Sequence, residues 1–151
     1  MIITNYEQFL LENKVNTDGL LNFISDERDA YTYLHTCKTE ELCKEILKEG
    51  FEFAVFDKTV DIISPLDKIT LDYKLMLRQA YGDYTLIIQI KRGMRDLELL
   101  STKPPHENEN GDEVYTLPIE FIKGYYNRKT GVIVKNPHFN LNYDKIAQMT
   151  T

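Results

Sequence analysis

Tyr84-Thr85-Leu86-Ile87-Ile88-Gln89-Ile90 is the run that decides the fold. Aromatic and β-branched side chains suit extended chain. Alternate strand residues share a face, so Leu86, Ile88 and Ile90 point the same way, as the central strand of a sheet requires. The segment leading into it reads as a helix. Ser64-Pro65-Leu66-Asp67 has serine placed as N-cap and proline at the first helical position. Ile69, Tyr73, Met76 and Ala80 are then expected to form the buried stripe, and Gly82 and Asp83 stop the helix.

Toward the N-terminus, residues 39–50 (TEELCKEILKEG) predict a second helix. Thr39 is the N-cap, Glu40 and Glu41 suit the positive helix end, and Gly50 ends it. Leu42, Cys43, Ile46 and Leu47 form its apolar stripe, with Leu42, Ile46 and Leu47 expected to be buried. Residues 30–36 (AYTYLHT) read as a strand, and residues 51–56 and 59–63 as short extended pieces. Residues 17–24 suggest a short helix capped by Thr17, and residues 5–12 an amphipathic one carrying Tyr6, Phe9 and Leu10. Toward the C-terminus, residues 101–112 form a polar loop with two prolines, expected to be mobile or functional. A short strand follows at 113–117, then a helical turn at 118–122 closed by Gly124. Tyr125-Tyr126 and Val132-Ile133-Val134 flank a hairpin loop, and residues 143–149 carry another possible turn.

Strands and helices mix without a βαβ rhythm, which predicts an α+β class. The expected architecture is a small, split, mostly antiparallel sheet with flanking helices around one core. Residues 1–25 form a leading helical segment and residues 26–151 the domain. A chain of 151 residues, 42% apolar and 28% charged, is enough for one such unit. The net charge of −6 argues against broad nucleic-acid binding, which needs clustered Lys and Arg, but permits a small anionic ligand. No run approaches the roughly 20 apolar residues of a membrane helix. The N-terminus lacks a secretory pattern, so a cytoplasmic location is expected. Cys37 and Cys43 are then free thiols, and with His106 and His138 far away no metal site is expected.

Three segments, in order, resemble the ADP-ribosyltransferase family. The first is Tyr33-Leu34-His35-Thr36 with the following helix that ends Leu47-Lys48-Glu49-Gly50-Phe51. The second is the helix at 65–81 feeding Asp83-Tyr84-Thr85-Leu86-Ile87-Ile88. The third runs from Glu113-Val114-Tyr115 through Pro118-Ile119-Glu120-Phe121-Ile122 to Gly124. The resemblance covers residues 30–127. It implies a protein that takes ADP-ribose from NAD to an acceptor, such as a protein. It also implies roles: His35 at the adenosine ribose, the Thr36 backbone on nicotinamide, an aromatic ring stacked on nicotinamide, and Glu113 as the catalytic carboxylate. Tyr73 is assigned the ring, with Tyr81 and Tyr84 as competitors. Thr36 stands where many members have glycine, and the family's middle motif has only a loose counterpart in Thr59-Val60-Asp61-Ile62-Ile63-Ser64.

Ordinary readings stand beside these. His35 also fits a hydrogen-bonded core histidine, Glu113 an exposed acid after a loop, and Tyr73 a packing residue. Arg78, Arg92 and Arg95 are either pyrophosphate partners or solvated surface. The alternative function is a non-catalytic binding or structural protein on a related fold, encoded by a phage or mobile element.

Overall fold

The computed structural model describes residues 17–143. The expected helix at 5–12 and the tail beyond Tyr143 lie outside them. The elements are α1 (Asp18–Ser25), β1 (Ala30–Cys37), α2 (Glu40–Glu49), β2 (Phe51–Phe53), α3 (Phe56–Thr59), β3 (Asp61–Ile62), α4 (Lys68–Arg78), β4 (Tyr84–Lys91), β5 (His106–Glu107), β6 (Glu113–Leu117), β7 (Ile122–Asn127) and β8 (Ile133–Lys135). Single 3-10 turns occur at Gln79–Tyr81, Leu97–Leu100 and Ile119–Phe121. A five-stranded sheet runs β3-β1-β4-β7-β8 and a smaller one β2-β6-β5, with every pair antiparallel. This is a small α+β fold with a mostly antiparallel sheet and a few helices.

Strand β4 sits between β1 and β7, which explains its unbroken burial from Thr85 to Ile90. Leu86, Ile88 and Ile90 face one cluster with Cys37, Cys43, Phe51, Phe53, Phe121 and Ile122. Ile87 faces the other way, into a cluster with Leu20, Ile24, Leu34, Leu71, Leu75 and Tyr126. The large sheet is thus covered on both faces rather than around one core. Leu20 and Ile24 belong to the second cluster, so α1 is packed into the domain. Gln89 shares that face: its amide nitrogen donates to the Ile24 carbonyl (2.9 Å) and the Thr32 hydroxyl (3.0 Å). It thereby satisfies a last-turn carbonyl of α1 that has no partner within the helix. Cys37 and Cys43 are both buried free thiols.

Helix α2 is capped as expected, with the Leu42 amide donating to Thr39 Oγ1 at 3.3 Å. Its contact stripe is narrower than expected. Cys43 is buried and Ile46 and Leu47 pack partly against the core, but Leu42 is 44% exposed. One residue of helix rotates a side chain by about 100°, which carries Leu42 off the face that Cys43 buries. Helix α4 departs further. It starts at Lys68, capped by Asp67, whose carboxylate accepts the Thr70 amide at 2.8 Å. Leu71, Asp72 and Leu75 are buried, whereas Ile69 is 73% and Tyr73 47% exposed. Residues 69/73 and 71/75 make two apolar stripes on nearly opposite helix faces, and periodicity alone does not choose between them. Packing does: a buried aliphatic side chain stabilises by about 1.5–3 kcal/mol, and the leucines are the pair that meets Ile87.

Asp72 on that buried face accepts the Thr17 hydroxyl at 2.6 Å. Thr17 therefore precedes α1 as expected, but its side chain ties the helix start to α4 instead of capping it. Gly124 does not close a turn. It lies inside β7, where a Cβ would sit 2.3 Å from the Val134 carbonyl oxygen of β8. The hairpin around 127–131 is as expected, joining β7 to β8.

The loop at 101–112 holds a small hairpin. Asn108 Oδ1 accepts the amides of Asn110 and Asp112, both at 2.9 Å, and β5 pairs with β6 through His106 and Glu107. Thr102 donates to the Thr116 carbonyl, and the Thr116 amide to Ser101 Oγ. Hydrogen exchange should show slow amides at Thr102 and Thr116 and exchange orders of magnitude faster across 106–112 than in β4. Equal protection in both would mean the hairpin does not open independently.

Candidate functional site

Strand β3 covers β1 only at Tyr33 and Leu34. From His35 to Cys37 that edge of β1 has no strand partner among the described residues, and a cavity of about 220 Å3 lies there. His35, Thr36, Lys58, Asp61, Arg78 and Tyr81 line it. Pockets that enclose a whole drug-sized ligand run to roughly 300–1,000 Å3. This one is smaller and would enclose only part of such a ligand.

His35 is held from two sides. Its ring meets the edge of Phe51 at 4.9 Å between centroids, and its Nδ1 lies 3.0 Å from the Thr59 carbonyl oxygen. A carbonyl only accepts, so Nδ1 carries the proton and, in the neutral ring, Nε2 is the acceptor. Arg78, at the end of α4, forks onto Asp61 of β3, with Nε to Oδ2 at 2.6 Å and Nη2 to Oδ1 at 2.8 Å. The hydrogen bond to Asp61 and its charge hold the guanidinium above its ordinary pKa. A guanidinium has five N–H donors, and this fork uses two. Its carbon stands 5.8 Å from the centre of the Tyr81 ring.

The residues expected to form the site fall in three places. His35 and Thr36 line the cavity together. Tyr73 is on α4, half-exposed and outside that lining, while Tyr81 is within it and 61% exposed. Tyr84 instead packs on Tyr125, 6.3 Å between centroids. Glu113 opens β6, exposed and opposite Glu107, and its Oε2 accepts the Tyr115 hydroxyl at 3.1 Å. That bond and the carboxylate's charge raise the Tyr115 pKa. Glu113 is not among the residues lining the His35 cavity. Leu117 pairs with Phe51, the ring under His35, so Glu113 stands four residues further along β6. At about 3.3 Å per residue, that is roughly 13 Å.

Lys58 and Asp61 are site residues that sequence reading did not single out. For Lys58 the sequence carries no signal; Asp61 lies within residues 59–64, and Thr59, Val60 and Asp61 line the cavity with His35. Among the described residues no group of three His, Cys, Asp or Glu side chains is placed to hold a metal ion, and no helix is long and apolar enough to cross a membrane. Comparison with protein-family models, curated proteins and solved structures finds no match to this chain.

Proposed function

We propose that this chain is an ADP-ribosyltransferase-like protein that binds NAD at the open edge of β1 and passes its ADP-ribose to an acceptor. The observation that carries the reading is the convergence of His35, Arg78 and Tyr81 on one cavity. His35 Nε2 accepts a ribose hydroxyl, the unused donors of Arg78 meet the pyrophosphate, and Tyr81 takes the stacking role in place of Tyr73. The free backbone of β1 beside Thr36 receives the nicotinamide amide. Catalysis in this reading requires the Glu113 carboxylate, which stands roughly 13 Å along β6 from the ring under His35, to meet the nicotinamide ribose in the bound state, where it stabilises the oxocarbenium-like charge as the nicotinamide–ribose bond breaks.

A second reading, a non-catalytic NAD-binding protein, is favoured by one observation. The Glu113 carboxylate is bonded to Tyr115 and lies outside the cavity lining. Calorimetric titration with NAD, followed by chromatographic assay of released nicotinamide, separates the two. His35→Ala removes one hydrogen bond to the ligand and should weaken binding by about tenfold. Binding without nicotinamide release supports the second reading. Absence of NAD binding removes both.

A further inference from the structure

Between α1 and the β7–β8 edge of the large sheet lies a second cavity, of about 500 Å3. Lys123 of β7 reaches into its wall and is only 8% exposed. Its ammonium donates to the Phe23 carbonyl in the last turn of α1. The same nitrogen stands 4.6 Å from the centre of the Phe23 ring and 5.8 Å from that of Phe139. Among the described residues Lys123 forms no ion pair. An ammonium has three donors, and one carbonyl plus two ring faces is a partial replacement for water. Burial pushes its pKa down; the charges of Glu27 and Asp26 oppose this, and Lys135 adds to it. A methionine in the same strand position would pack without that cost. Lys135, exposed at the end of β8, lines the same cavity, and so does Asp26, so the lining carries two positive charges against one negative.

We propose that this cavity is a binding site for a small aromatic carboxylate, its charge paired with Lys123 and Lys135 and its ring set against Phe23 and Phe139. The cavity volume falls within the range of small-molecule pockets. Charge and aromatic surface occur together in its lining, which selects an anion with a flat apolar body over either feature alone. Asn136 keeps the far wall fixed, its amide nitrogen donating to the Ile119 and Ile122 carbonyls at 2.9 and 2.8 Å. The site shares no lining residue with the His35 cavity, so it stands apart from the NAD reading.

The test is benzoate titrated into the isotope-labelled full chain, read by amide chemical shifts. Benzoate should move the amides of Phe23, Lys123 and Asn136 saturably, while acetate (charge without ring) and benzyl alcohol (ring without charge) bind at least tenfold more weakly. Lys123→Met and Lys135→Met should each weaken benzoate severalfold. A purely structural Lys123 would instead lower the unfolding midpoint and leave benzoate unaffected. If Lys123→Met fails to fold, the surface variant Lys135→Met and the two control ligands still decide. The proposal is overturned if benzoate leaves these amides in place, if benzyl alcohol binds as well as benzoate, or if Lys135→Met binds benzoate like the parent chain.

Discussion

Glu113→Gln should lower nicotinamide release from NAD by on the order of a hundredfold while changing NAD affinity only a few-fold. Glutamine keeps the length of the side chain and an oxygen that accepts the Tyr115 hydroxyl, now 3.1 Å from the carboxylate. What it removes is the negative charge. In the proposed reaction that charge acts on positive character that grows only as the nicotinamide–ribose bond breaks, so its loss appears in turnover and not in binding. Glu107, the acid across the hairpin, is the control: Glu107→Gln keeps the local fold and should leave turnover near that of the parent chain. A Glu113→Gln protein as active as the parent removes this carboxylate from the mechanism, even if NAD binds.

Gly50→Ala should destabilise the fold by about 3 kcal/mol. Gly50 has φ 99°, in the region that side chains with a Cβ rarely adopt. Strain of this kind costs about 1–3 kcal/mol. A Cβ there would also lie 2.6 Å from the Leu117 carbonyl oxygen and from Thr116 Cγ2, and relieving such overpacking costs about 1–3 kcal/mol more. The backbone has little room to give, because the Gly50 amide closes α2 on the Ile46 carbonyl at 2.8 Å. With a urea slope of about 1–3 kcal/mol per molar, the midpoint should fall by about 1–3 M. Gly19→Ala is the contrast: it lies in α1 with nothing within 4 Å of an added Cβ, and should be neutral or slightly stabilising. Equal midpoints for the two variants would refute the close approach of α2 to β6.

The parts of the fold legible in the sequence are those set by local rules. The strand at 84–90 shows through its aromatic and β-branched residues and the alternation of Leu86, Ile88 and Ile90, α2 through Thr39 and Gly50, and the β7–β8 hairpin through its Asn127–Gly131 loop. The face of α4 was not legible, because Ile69/Tyr73 and Leu71/Leu75 offer equal periodicity. Only the sheet they meet distinguishes them. Gly124 was misplaced for a related reason: a glycine that ends a turn and one that admits a neighbouring strand look alike in sequence. The candidate site was legible in part. His35 and Thr36 lie side by side on one strand, whereas Arg78 is one of three arginines and Tyr81 one of three tyrosines with the same reading in sequence. That they meet depends on the two-residue pairing of β3 with β1, which brings Asp61 under Arg78 and leaves no local pattern. The distance from His35 to Glu113 was equally hidden, since it is set by the register of β6 on β2.

The lengths of the strands carry one more consequence. Among the described residues, the outermost strands of both sheets are β3, β8, β2 and β5, and none exceeds three residues, whereas β1 and β4 in the interior have eight each. An edge offers foreign chains a row of unused amides and carbonyls, and a long row invites runaway pairing. Here β4, the most apolar strand, is screened on both sides by neighbours, and the outer strands, like the His35–Cys37 stretch of β1 that β3 leaves open, are each only two or three residues long. The run YTLIIQI, whose composition suits fibril pairing, thus has both of its backbone edges occupied within the fold and offers neither to another chain as long as β1 and β7 stay in place.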